Sequence, residues 1–311
     1  MLTLKSITRI ANPPYLFRPQ QIVSRIWREL AWRSATRKTV RLPWGLHIIV
    51  NPHEAIGYNI STQGMYEFAV TEALWRLSEP GELTVDVGAN IGQMASLLGI
   101  RVGSEGRVLC FEPHPEVFGH LTENVRMWQK NSKCGAFILH DTALGKSNGV
   151  ATLKTNEGFK TNEGTAWVTN DQDPGEGATM QIRMECLDCV LHDDDRIGVM
   201  KIDAQGAELD ILRGMTKILE QRRVRDIVFE EIGNFPAPTH KFLQSMGYKV
   251  FGLEPRLLGL RCLPDVAPTY DDVGGDPPNY LASIEPSRAE LRLSQLMWRS
   301  FGIFSSTTER R

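Results

Sequence analysis

Several short apolar runs in this chain end on a carboxylate. Asp86 closes the run that begins at Leu83, Glu112 follows 107–111, Asp141 follows 136–140, and Asp203 follows 197–202. A further run over 226–231 closes with Glu230 and Glu231. A carboxylate at a strand end can accept two hydrogen bonds at once, each worth roughly 1.5–3 kcal/mol, or take a proton from an alcohol. What each one does depends on the turn that follows it.

After Asp86 comes Gly88-Ala89-Asn90-Ile91-Gly92, which turns the chain into an apolar helix running to about Gly99. Such a turn brings backbone N–H groups and a helix N-terminus close to a ligand, and a side chain at Gly88 or Gly92 would block that approach. A pyrophosphate site wants G-x-G-x-x-G with nothing acidic before it. Here the pattern is D-x-G-x-N-x-G, and Asp86 repels a pyrophosphate while suiting a cationic or hydroxyl-bearing ligand. The ligand this favours is S-adenosylmethionine, with its ammonium and sulfonium charges. The competing account is a plain glycine turn in an α/β domain, and an NAD-dependent oxidoreductase on a similar sheet is the alternative enzyme. Glu112, 26 residues after Asp86, stands where such folds keep the acid that accepts both ribose hydroxyls. Asp141 either accepts from an adenine amino group or makes an Asx turn.

The elements that must position these groups follow from periodicity. Strands are expected over 83–87, 107–111, 136–140, 197–203, 226–231, 248–253 and 279–284, with helices over 68–77, 117–127 and 209–219 between them. Strands alternating with helices make an α/β protein with a doubly wound, mostly parallel seven-stranded sheet. The runs 46–50 and 55–60 suggest a hairpin, and 150–153 and 180–184 suggest another, around a polar loop over 155–178 that carries a doubled T-N-E-G. A Pro-rich link over 255–278 lets the last strand return antiparallel. A basic amphipathic stretch, Arg18 to Arg41, predicts an N-terminal helical extension over 1–45, packed on the domain or touching an anionic membrane surface. The main domain is placed at 46–285, with a C-terminal helix and tail over 286–311.

With 311 residues, 41% hydrophobic, and a net charge of −2, the composition fits a globular enzyme and argues against a nucleic-acid binder. The N-terminus lacks an apolar signal core and no run is long enough to span a membrane. Five cysteines without a signal peptide predict a reduced, cytoplasmic protein, and Cys186-Leu187-Asp188-Cys189 alone is not a zinc site.

D-V-G-A-N-I-G at Asp86, F-E-P at Phe111, A-L-G at Ala143, K-I-D-x-x-G-x-E at Lys201 and F-E-E-I at Phe229, in this order and spacing, resemble the FkbM family of class I S-adenosylmethionine-dependent methyltransferases. The resemblance runs over about 58–284. It implies cofactor contacts at Asp86, Gly88, Asn90, Glu112 and Asp141, to which Gly92 and Ala143 are added from the same motifs. It also implies methyl transfer, usually to a hydroxyl on a sugar or natural-product scaffold; N-methylation is the alternative reaction. Gln205 departs from the family, whose members commonly carry Glu there.

In such a sheet the ligand lies over the carboxyl ends of the strands at the switch point, so Asp203 faces the acceptor. Methyl transfer needs in-line positioning, and a base helps an alcohol by 10²–10⁴-fold. Asp203 is the first choice for that base and Glu231 the second. Glu208 reads as a helix-start acid, His140 as a packed strand residue, and no metal is expected for want of a dedicated ligand set. The expected partner is a small-molecule acceptor, a sugar or glycosylated metabolite.

Overall fold

The computed structural model describes residues 37–155, 166–169, 178–231, 235–268 and 278–301. The basic stretch before residue 37 and most of the doubled T-N-E-G lie outside them. The first described elements form a hairpin, β1 (Lys38–Arg41) antiparallel to β2 (His47–Val50). This hairpin begins inside the stretch expected to be a helical extension. The expected hairpin arm over 55–60 is instead a helix, α1 (Ala55–Gln63). Its start is set by Glu54, whose carboxylate accepts the backbone N–H groups of Ile56 and Gly57, and it stops at the left-handed Gly64. The acidic cap outweighed the apolar alternation.

The central unit follows the expected order closely: α2 (Phe68–Leu77), β3 (Leu83–Val87), α3 (Gln93–Val102), β4 (Arg107–Phe111), α4 (Pro115–Trp128) and β5 (Ala136–His140). Then come the short β6 (Ala143–Leu144), β7 (Gly149–Thr155), β8 (Ala166–Thr169), β9 (Ala178–Glu185) and a one-turn α5 (Leu187–Val190). β7 and β9 pair antiparallel as expected. β8 pairs with β7 from within the stretch expected to be a loop. Together with β6 they form a separate four-stranded sheet around Ala143, Ala151, Leu153 and Ile182.

The remainder is β10 (Ile197–Ile202), α6 (Glu208–Arg213), α7 (Thr216–Glu220), β11 (Val224–Glu230), α8 (Pro238–Ser245), β12 (Lys249–Arg256), β13 (Gly259–Pro264), β14 (Asn279–Ser283) and α9 (Pro286–Leu293). The helix expected over 209–219 is broken at Gly214, where a Cβ would stand 1.9 Å from the Gly145 carbonyl oxygen. The C-terminal helix ends at Leu293 rather than near Phe301, and Trp298 and Phe301 pack into the core without it.

Among the described residues the main sheet has eight strands in the order β13-β12-β14-β11-β10-β3-β4-β5. β11, β10, β3, β4 and β5 run parallel, and β14, β12 and β13 add antiparallel pairs. The sheet therefore carries one strand more than the seven expected, because β13 lies within the Pro-rich link. The order reverses between β3 and β10, which is the switch point where such sheets bind ligands. Helices cover both faces: α2, α3, α4 and α9 contribute to one apolar cluster, and α5 to α8 to the other. Among the described residues no helix is long and apolar enough to cross a membrane. Cys186 and Cys189 form a disulfide, contrary to the free thiols expected, because the turn of α5 brings their Cα atoms to 5.5 Å.

Candidate active site

At the carboxyl ends of β3, β4, β10 and β11 lies a pocket lined by Glu67, Gly88, Asn90, Glu112, Ala143, Lys201, Asp203, Gln205 and Glu230, among others. Leu153, Ala166 and Val168 of the small sheet close one side of it. Of the expected cofactor set, Gly88, Asn90, Glu112 and Ala143 line this pocket, as does Asp203 of the expected catalytic pair.

Glu112 is built in by the backbone. Its Oε2 accepts the Asn90 N–H at 3.0 Å and its Oε1 accepts the His114 N–H at 3.0 Å, which fixes the carboxylate plane and leaves a lone pair on each oxygen. Burial pushes its pKa up to about 7, against the lowering effect of those two bonds. Asn90 adopts a left-handed backbone, with φ of 49°, which asparagine tolerates, and its Oδ1 accepts the N–H of the next residue, Ile91, at 2.7 Å.

The glycines act differently from the expected ligand clearance. A Cβ on Gly88 would lie 2.0 Å from the Asp203 carbonyl oxygen, so the glycine lets the β3 turn touch the β10 turn. A Cβ on Gly92 would lie 2.7 Å from Leu121 Cδ1 and 2.8 Å from Trp128 Cη2, away from the pocket lining. Gly92 is a packing residue under α4, not a wall of the pocket.

Asp86 lies beneath the pocket, fully buried, and neither carboxylate oxygen receives a hydrogen bond among the described residues. Its counter-charge is Lys201, in register with it across the β3–β10 pair, with Nζ 3.5 Å from Oδ1. Burial raises the Asp86 pKa to about 6, and Lys201 opposes the shift. Lys201 Nζ also donates to the Gly88 carbonyl at 2.9 Å and sits 3.3 Å from Asp203 Oδ2. Burial works against that ammonium, but Asp203 and Asp86 outweigh it, so its pKa rises. Asp86 thus acts through Lys201 on the Gly88 turn and on Asp203.

Asp203 is oriented from two sides. Lys201 stands at Oδ2, and the Gln205 amide nitrogen donates to Oδ1 at 3.0 Å. Gln205 holds a left-handed backbone, with φ of 49°, and the turn is closed by Glu208, whose Oε1 accepts the N–H groups of Ala204 and Gly206. At position 205 the amide supplies a donor where a carboxylate would repel Asp203.

Besides Asp86 and Gly92, two more expected residues, Asp141 and Glu231, are absent from the pocket lining. Asp141 is exposed and paired with Arg183, and the wall beside it is made by Thr142, Ala143 and Leu144. Glu231 follows the end of β11 and is absent from the pocket lining, while its neighbour Glu230 is present. The alternation of β11 decides this, since Val228 and Glu230 share the face that carries Lys201 and Asp86. Burial, followed by the charges of Asp203, Glu67 and Glu208, drives the Glu230 pKa up to about 9. Glu67, at the start of α2, was missed altogether, because nothing in its sequence neighbourhood marks it as polar lining. His140 stacks on Phe111, with centroids 4.4 Å apart, as a packed residue should.

Comparison with known proteins adds to this geometry. The hexuronic acid methyltransferase AglP of Haloferax volcanii is 28% identical over 153 residues, which cover 49% of this chain and 57% of that protein. Methyltransferase sdnD of Sordaria araneosa is 27% identical over 196 residues, 55% of this chain and 75% of that one. A crystal structure of an FkbM methyltransferase from Methylobacillus flagellatus superposes with a TM-score of 0.42 at 15% identity, covering 72% of this chain and 52% of that one. The chain thus spans little more than half the length of the archaeal relative and of that crystal structure. The methyltransferase FkbM domain matches residues 86–250, from the Asp86 turn through β11 and into β12. The match takes in more than half of the chain, which belongs to the FkbM family of S-adenosylmethionine-dependent methyltransferases.

Proposed function

We propose that this chain is an O-methyltransferase that binds S-adenosylmethionine over the Gly88 turn and methylates a hydroxyl of a sugar or glycosylated natural product. The observation that carries the reading is that Glu112 and Asp203, from the two strands flanking β3, line one pocket. The pocket residues suit the cofactor: Glu112 keeps a free lone pair on each oxygen for the ribose hydroxyls, and Gly88 and Asn90 present backbone beside it. When bound, that cofactor supplies an electrophilic methyl group.

The protein's part is placement and proton transfer. Asp203, held by Lys201 and Gln205, accepts the hydroxyl proton as the new carbon–oxygen bond forms. Leu153, Ala166 and Val168 give the acceptor an apolar wall, which limits water near the reacting oxygen. The pocket's carboxylates would hold an amine acceptor in its protonated, non-nucleophilic form, so a hydroxyl is the better fit than N-methylation. The hexuronic acid named in the archaeal relative supports a sugar acceptor.

Calorimetric titration with S-adenosylmethionine, S-adenosylhomocysteine and NAD tests the class. Micromolar binding of the first two with none of NAD supports it, and binding of NAD alone would favour the oxidoreductase. Transfer of labelled methyl to a panel of glycosylated alcohols and of amines then separates O- from N-methylation.

A further inference from the structure

We propose that Glu67, Asp203 and Glu230 form a binding site for one divalent, oxygen-preferring cation of the Mg²⁺ or Mn²⁺ type. The three side chains arrive from separate elements: the turn before α2, the end of β10 and the end of β11. Each offers a carboxylate oxygen, and the three oxygens lie within 4.8 Å of one another. Ligands bonded to a hard divalent cation at about 2.0–2.6 Å stand no more than roughly 5 Å apart, so a single ion spans the trio.

Glu230 supplies the second observation. It is only 7% exposed and lines the pocket, and among the described residues its carboxylate has neither a hydrogen bond nor an ion pair. A buried acceptor in that state is expensive and points to a missing positive ligand. Lys201 does not fill the place: its ion pairs run to Asp86 and Asp203 and its hydrogen bonds to the Val87 and Gly88 carbonyls. An ion held there would take oxygen ligands from the acceptor and lower the pKa of its hydroxyl. That use rests on the methyltransferase reading above, whereas the cation site itself does not. It would also let a pocket rich in carboxylates accept an anionic sugar such as a uronic acid, which it would otherwise repel.

The test is a titration of Mn²⁺ followed by electron paramagnetic resonance, on the full chain without cofactor. The expected result is one Mn²⁺ per chain, displaced by Mg²⁺, with affinity lowered about tenfold or more in both Glu230→Gln and Glu67→Gln. A wild-type protein that leaves the free Mn²⁺ signal unchanged overturns the proposal, as does binding that survives both substitutions. Circular dichroism reports whether each variant folds, and the wild-type titration stands by itself. Calorimetry with S-adenosylmethionine on the same samples separates the two ideas. Cofactor binding without Mn²⁺ binding removes the cation and leaves the methyltransferase, and Mn²⁺ binding without cofactor binding does the reverse.

Discussion

Glu112→Gln tests the burial argument and the ribose argument with one substitution. The carboxyl of Glu112 is shifted from 4.5 to about 7 chiefly by burial, a change on the order of 3 kcal/mol across the titration. Since the folded value lies above the unfolded one, this stability is fully present below pH 4.5 and is lost as pH rises through about 7. Glutamine cannot ionise, so the variant escapes that loss. It does meet a separate difficulty: its amide can accept from only one of the two backbone N–H groups, at Asn90 and His114, and turns a donor toward the other. That mismatch costs about 1–3 kcal/mol at any pH. The useful quantity is therefore a double difference from urea denaturation of both proteins at pH 5 and pH 8. The variant should gain on the wild type by on the order of 3 kcal/mol between those values. Asp86 and Glu230 titrate in both proteins and cancel. In calorimetry the same variant should bind S-adenosylmethionine roughly 10- to 100-fold more weakly, through loss of a charged acceptor for the ribose. A parallel pH dependence in the two proteins would refute the burial argument, and an unchanged Kd would refute the ribose contact.

Three further outcomes are expected. Asp203→Asn should bind the cofactor normally by calorimetry and lose turnover in the labelled-methyl assay by 10²–10⁴-fold; normal turnover would remove Asp203 as the base. Asp141→Ala should leave the cofactor Kd unchanged and stability within about 1 kcal/mol, because its ion pair with Arg183 is exposed on both sides. A large rise in Kd would restore its contact with the adenine. Gly92→Ala should cost about 2–4 kcal/mol in urea denaturation, from the left-handed backbone at φ 94° and from crowding of Leu121 and Trp128; a neutral effect would mean that α4 moves aside freely.

The parallel strands were legible because a strand buried on both faces reads as a continuous apolar run, and β3, β4 and β5 match their expected bounds residue for residue. Failures came where a local device competed with periodicity. The Glu54 cap made a helix of a stretch that alternates like a strand, and the close approach of Gly214 to Gly145 divided a helix that the apolar spacing makes continuous. β8 and β13 were hidden by polar and Pro-rich composition, since their pairing partners lie elsewhere in the chain and leave no local trace.

The site was half legible for a related reason. Glu112 and Asp203 are placed by the ends of their own strands, and strand ends can be read. Whether Glu230 or Glu231 faces the pocket depends on the parity of β11, which turns on a single residue of register. The same dependence governs Lys201, the one charged residue in the run 197–202. Its position matters only because the β3–β10 register sets it opposite Asp86. Removing one partner of such a pair leaves a buried, uncompensated charge at about 3–5 kcal/mol. The lysine and the aspartate must therefore change together or not at all. Their joint presence ties the stability of the sheet's centre to the orientation of the carboxylate proposed to take the proton.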